Sequence, residues 1–159
     1  SRRGWIDGCS VRLPGIVARR DENAGLASAF MSQLFWSLAE GRAITLPVSP
    51  TGSCWWMSAR TCVDNLLLMA GMDSGLWNAQ RSYQMPVLHL TIGEVIEALA
   101  RRFGPAVRDL VSYAPDPFID RVFARLPPLR TPNAQQLGLR HDGDAPALVG
   151  NALGLGQVR

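Results

Sequence analysis

The sequence contains no lysine: all sixteen of its basic side chains are arginine. Without an ε-amine the chain cannot form a Schiff base, grip a nucleotide phosphate with a Walker lysine, or bring any ammonium of its own to a reaction. Cysteine is scarce too. Cys9, Cys54 and Cys62 are too few for a disulfide framework and their spacing fits no metal motif, which agrees with a reducing, cytoplasmic setting. Long apolar runs are missing; the densest, 65–72, falls far short of the roughly 18–20 residues of a membrane span, so no membrane is expected as a partner. No apolar stretch follows Arg2-Arg3, so no secretory signal is read there, and with no initiator Met the natural start of the gene product is expected to lie elsewhere. Charge is light, with 18% charged residues and a net charge of +3. The arginines are scattered, adjacent only at Arg2-Arg3, Arg19-Arg20 and Arg101-Arg102, where nucleic-acid binding would want them on one face.

Catalytic signatures are equally sparse. There is no G-x-S-x-G elbow and no G-x-G-x-x-G loop; the terminal Gly154-Leu155-Gly156 stops short of one and follows no strand. His89 and His141 lie far apart, and neither has a cysteine or carboxylate at ligand spacing, so no metal is expected. His89, beside a strand end, reads as structural; His141, within Arg140-His141-Asp142-Gly143-Asp144, reads as solvated. No residue qualifies as catalytic from its pattern alone.

What is present is the material for one domain: 159 residues, 47% of them hydrophobic. Residues 9–18 read as a buried strand in which Pro14, having no N–H to donate, marks an end or an edge. A helix is predicted over 28–40, with Gly41 ending it. Short strands follow at 43–48 and 53–57, separated by the turn Ser49-Pro50-Thr51-Gly52. Ser58 reads as the cap of a helix over 59–72 with a broad buried face that includes Cys62, Val63, Leu66, Leu67, Met69 and Ala70. A strand is predicted near 82–90, and Thr91 with Glu94 forms a capping box for a helix that stops at Gly104-Pro105. Residues 105–111 read as a short helix or turn. Asp116-Pro117, Thr131-Pro132 and Asp144 open three more short helices. Few strands beside many helices give a mixed α/β chain without the regular alternation of a complete doubly wound sheet.

Taken in order, these segments resemble the extended short-chain dehydrogenases/reductases, the NAD-dependent epimerase/dehydratase family. Val11-Arg12-Leu13-Pro14-Gly15-Ile16-Val17-Ala18-Arg19 looks like that family's sixth core strand; the helix 28–40 with Gly41 and the strand at 44–47 look like its substrate-domain helix and the strand after it, and 53–72 resembles the following strand and helix. Residues 85–102 and the run Arg130–140, RTPNAQQLGLR, look like its late strand, T-x-x-E helix and closing motif. The runs R-L-P-x-I-V-x-R and Trp55–Arg60 are similar to the branch typified by D-erythronate dehydrogenases. The resemblance covers about residues 9–140. It departs at 52–54, where Gly52-Ser53-Cys54 lacks the arginine that grips a nucleotide phosphate in sugar-nucleotide members, and at Arg20-Asp21, where the branch carries Pro-Gly.

The resemblance implies an α/β fold: the C-terminal remnant of a Rossmann-type sheet plus a small mixed α/β substrate-binding subdomain. Residues 1–25 would hold the last core strands of an incomplete dinucleotide-binding domain, and 26–159 mostly the substrate subdomain, with a strand near 82–90 returning to the sheet. The glycine-rich loop and the Tyr-x-x-x-Lys pair would lie in a preceding part not contained in the sequence. NAD or NADP is the implied cofactor, with Pro14, Gly15 and Ile16 against the nicotinamide. A small polyhydroxy acid or sugar-like substrate would meet Arg19, Asn23, Ser28, Trp56 and Arg60. Arg60 could pair with a carboxylate through its planar fork, or be a surface side chain. Ser28 could serve only as a helix cap, and Trp55 and Trp56 as core. A dinucleotide-binding part completing the sheet and a homodimer are the implied protein partners. Two other readings are a non-catalytic binding domain derived from the same fold, and an unrelated hydrolase using Cys62 or Ser58 with His89.

Overall fold

The computed structural model describes residues 5–18 and 26–155. The stretch 9–18 is two strands, β1 (Ser10–Arg12) and β2 (Gly15–Val17), broken at Leu13-Pro14. A proline that cannot donate allows the chain to leave one sheet and join another there. α1 (Ala29–Ala39) then runs to Glu40, and Gly41, at φ +67°, takes the left-handed turn that frees the chain into β3 (Ile44–Leu46). β4 (Ser53–Ser58) leads directly into α2 (Ala59–Gly71), capped by Ser58, whose Oγ accepts the Thr61 N–H at 3.1 Å. The predicted strand near 82–90 is again two: β5 (Ser82–Gln84) and β6 (Leu88–Thr91). α3 (Ile92–Phe103) opens on the capping box of Thr91 and Glu94, both halves of which form.

After a 3₁₀ turn over Pro105–Leu110 comes a strand that the sequence pattern did not predict, β7 (Val111–Tyr113). Three short helices follow, α4 (Pro117–Phe123), α5 (Pro132–Gln136) and α6 (Ala145–Ala152), each starting at one of the Pro-containing signals.

The strands form three small sheets among the described residues. β1 pairs with β5 in parallel, β3 with β7 in parallel, and β4 lies between β2, parallel to it, and β6, antiparallel to it. The larger core lies where α1, α3 and α6 meet β2, β4 and β6, around Leu34, Phe35, Trp56, Ile92, Leu99 and Leu148. A second cluster of Met57, Cys62, Met69, Tyr83, Met85 and Leu139 joins α2 to β5 and α5.

One expectation fails. α2 buries Thr61, Cys62, Asn65 and Met69, but the other half of its apolar stripe faces outward: Val63 is 52%, Leu66 39% and Leu67 66% exposed, and Ala70 is exposed as well. Helical periodicity identifies side chains fit for burial, not whether the surface that buries them lies within the same described chain.

Candidate functional site

The parallel register of β2 and β4 gathers the candidate residues. Gly15 lies beside Trp56, Ile16 beside Met57 and Val17 beside Ser58, and Val17 and Ser58 are the last residues of their strands. Both carboxyl ends therefore share one edge, the place where open α/β sheets bind ligands. Arg60 follows two residues later in the first turn of α2, exposed and with no carboxylate against its guanidinium among the described residues. Arg19 and Asn23, expected just beyond β2, lie outside the described residues.

The wall residues do not all face the same way. A Cβ on Gly15 would sit 2.7 Å from both Met31 Cε and the Trp55 carbonyl oxygen, so its bare face is filled by α1 and β4. Strand alternation puts Pro14 and Ile16 on the opposite face, where both are half-buried. Trp56 is fully buried: its ring lies 6.1 Å from Phe35 and its indole N–H donates to the Leu90 carbonyl at 2.9 Å. It acts as core here and offers no pocket surface. Its neighbour Trp55 is half-buried and donates to the Pro127 carbonyl at 2.7 Å, tying the 124–128 segment to β4 together with Ser53, whose hydroxyl donates to the Leu126 carbonyl at 3.0 Å. Ser28 precedes α1 half-buried and makes no side-chain capping bond.

The remaining reactive groups are occupied locally. A His89 ring nitrogen meets the Leu126 carbonyl at 2.7 Å, and His141 Nδ1 accepts the Gly143 N–H at 3.0 Å. Burial, with a lesser push from the Asp120 charge, raises the Cys54 thiol to about 12, far from the range of a nucleophilic thiolate. Asp120 is held below the usual carboxylate range, chiefly by the Ser49 N–H at 3.1 Å and then by Arg125 at 3.0 Å. Among the described residues no three His, Cys, Asp or Glu side chains gather as a metal would require.

The residue that sequence reasoning missed is Asp142. It is buried and lies 84 residues from Ser58, yet its Oδ2 accepts the Ser58 N–H at 2.9 Å and its Oδ1 accepts the Ser58 hydroxyl at 2.6 Å. Oδ1 also accepts the Thr61 hydroxyl at 2.7 Å and the Asn151 amide at 2.9 Å. Asp142 thus fixes the start of α2, and with it the base of Arg60, from the far end of the chain. The only hint was polar density in residues 140–144, which reads equally well as a solvated loop.

Comparison with known proteins gives the geometry a context. No family model matches the chain. Over 127 residues, 80% of its length, the chain is 32% identical to D-erythronate dehydrogenase of Cupriavidus necator, covering 39% of that protein. It superposes on a nucleoside-diphosphate-sugar epimerase from Agrobacterium tumefaciens with a TM-score of 0.83, at 30% identity, over 93% of this chain and 44% of that one. On L-threonine dehydrogenase from Phytophthora infestans the TM-score is 0.79 at 18% identity, over 94% of this chain and 48% of that one, a likeness of fold alone. The chain is homologous to part of D-erythronate dehydrogenase, and its Rossmann-like mixed α/β fold is that of the epimerase and dehydrogenase on which it superposes. It spans about two fifths of the length of that curated relative and under half of each solved structure. The resemblance carried by residues 9–140 is borne out by both kinds of comparison.

Proposed function

We propose that this chain is the substrate-facing part of an NAD(P)-dependent oxidoreductase that acts on a small polyhydroxy acid, and that the rest of the dinucleotide-binding sheet is contributed by polypeptide docking beside β1. The observation that carries this reading is the shared carboxyl edge of β2 and β4, which brings the end of β2 beside Ser58 and so beside the first turn of α2, where Arg60 is exposed. A guanidinium there suits a carboxylate bidentately. The name of the C. necator relative supplies the substrate class, a four-carbon polyhydroxy acid.

The fit to a nicotinamide cofactor is partial. Pro14 and Ile16 can contribute an apolar wall, whereas Gly15 is accounted for by its packing against Met31 and Trp55 and leaves no cradle. When bound, the cofactor would supply the hydride-accepting carbon. This chain's share is to hold the acid's carboxylate at Arg60 and to keep water off the apolar side. Two surfaces support the docking of a further sheet. The edge of β1 away from β5 carries no strand among the described residues, and the outward stripe of α2 is apolar. An open strand edge and uncovered leucines are liabilities that a complete sheet removes.

The test is NAD(P)-dependent oxidation of D-erythronate by the complete protein, followed by nicotinamide absorbance, with Arg60→Gln alongside. The reading requires turnover with one of the two cofactors, and a KM raised about tenfold or more in the variant, the size of one lost charge-assisted contact. No turnover of any four-carbon polyhydroxy acid, or an unchanged KM in Arg60→Gln, sinks it.

A further inference from the structure

We infer that the groove between the β1–β5 pair and the segment entering α5 is a binding site for a small anion bearing a phosphate or carboxylate group. Its frame follows from strand alternation. In the parallel register Arg12 lies beside Gln84, and Arg12, Gln84 and Ser82, at alternate positions, border the cavity; Tyr83 between the last two borders it as well while packing on the core cluster. The segment that begins with Arg130 and Thr131 forms the facing wall, and between them is a cavity of about 390 Å³. That lies at the small end of the roughly 300–1,000 Å³ of ligand pockets.

The lining selects the ligand's chemistry. Arg12 and Arg130 both border the cavity, and among the described residues no acidic one does. Neither guanidinium belongs to any of the ion pairs among the described residues, which join Arg42 to Glu40, Arg81 to Asp7, Arg108 to Glu97 and Arg125 to Asp120. Two like charges bordering one water-accessible hollow repel each other, and an anion between them reverses the sign of that interaction. The uncharged lining adds donors. Gln84 spends its amide N–H on the Arg12 carbonyl at 3.1 Å, which orients it beside that guanidinium; Ser82, Asn133 and Thr131 supply hydroxyl and amide groups. Thr131 is buried and its side chain makes no capping bond to α5. Guanidinium forks with hydroxyl and amide donors around them fit an oxyanion carrying hydroxyl groups better than a bare halide. None of these residues belongs to the site proposed above, so the anion site stands independently of that reaction.

The experiment is a titration of the purified protein with inorganic phosphate and, separately, with glycolate, at ionic strength held constant with chloride, followed by calorimetry and thermal shift. Saturable binding of either probe is expected, weakening as salt rises. Phosphate alone points to a phosphate ester, glycolate alone to a carboxylate, and both to a site that reads charge only; each supports the site. Arg130→Gln, on an exposed segment, should weaken binding about tenfold or more, while Arg101→Gln on α3 leaves it unchanged. Arg12→Gln should behave like Arg130→Gln, and if it fails to fold, Arg130→Gln alone decides. Absence of saturation by both probes in the millimolar range, or equal affinity in Arg130→Gln and the unmodified protein, overturns the inference.

Discussion

Replacing Asp142 by Asn keeps the shape of the side chain and changes one acceptor into a donor. The carboxylate receives four donors: the Ser58 N–H, the Ser58 and Thr61 hydroxyls and the Asn151 amide. Whichever way the new amide turns, its NH₂ meets at least the Ser58 N–H or the donors now on Oδ1. One buried donor left without an acceptor costs about 1–3 kcal/mol, so Asp142→Asn should destabilise the protein by about 2 kcal/mol. Asp142→Ala orphans all four and should cost about 3–5 kcal/mol, moderated because the Ser58 hydroxyl can still turn to Thr61 Oγ1 at 3.1 Å. For a domain of this size about 2 kcal/mol lowers Tm by roughly 4–8 °C. Asp144→Ala is the control. It removes an exposed cap from the Ala147 N–H at 2.8 Å and should cost only about 1 kcal/mol. A Ser58→Ala/Asp142→Ala cycle should give a coupling of at least about 1 kcal/mol. Thermal and urea unfolding measure all of these. If Asp142→Asn changes stability by less than about 0.5 kcal/mol, or costs no more than Asp144→Ala, the network does not hold the start of α2 and the reasoning is wrong.

Three further outcomes are expected. Gly15→Ala drives a methyl to 2.7 Å from the Trp55 carbonyl, which cannot swing aside as Met31 can, and should cost about 1–3 kcal/mol by urea unfolding; a neutral result would mean that β2 sits farther from α1. Cys54, with its thiol raised from 9.0 to about 12, should stay unlabelled by a disulfide reagent at pH 8 until the protein unfolds; its contribution to stability is whole below about pH 9 and is lost as pH climbs toward 12, so Cys54→Ala should flatten that alkaline slope. Leu67→Gln, on a side chain 66% exposed, should change the stability of this chain by less than about 0.5 kcal/mol while weakening NADH binding by the complete protein; an effect on the chain alone, or none on NADH binding, would remove α2 from the docking surface.

Local chemistry was readable from the sequence and long-range geometry was not. Ser58, Thr91 and Asp116 cap the helices that their patterns predict, because a cap is decided within four residues, whereas Thr131, with the same signal, makes no side-chain capping bond. Pro14, by pattern a strand end or edge, is the point where one apolar run divides between two sheets. β7 escaped notice because Val111–Tyr113 is too short to show a period, and its partner β3 is distant in sequence. Of the candidate site, the nearness of the end of β2 to the start of α2 follows the motif order, whereas the burial of Trp56 and the reach of Asp142 depend on which side of β4 faces inward. An alternating strand with tryptophans on both faces does not reveal that.

The stripe on α2 and the bare edge of β1 are best understood together. A helix whose apolar stripe runs on past the side that packs is the pattern of one lying between two layers, and only one of those layers, β4 with the cluster around Cys62 and Met69, is among the described residues. A parallel strand such as β1 is stable when a neighbour lies on each edge and a layer covers each face. Covering a fully exposed leucine would contribute about 1.5–3 kcal/mol, and Leu66 and Leu67, 39% and 66% exposed, would contribute proportionately less, before the cost of fixing them. Leu66 and Leu67 would therefore supply one part of the gain on docking, and a charged or amide side chain at either position would remove that part without disturbing the side of α2 that already packs.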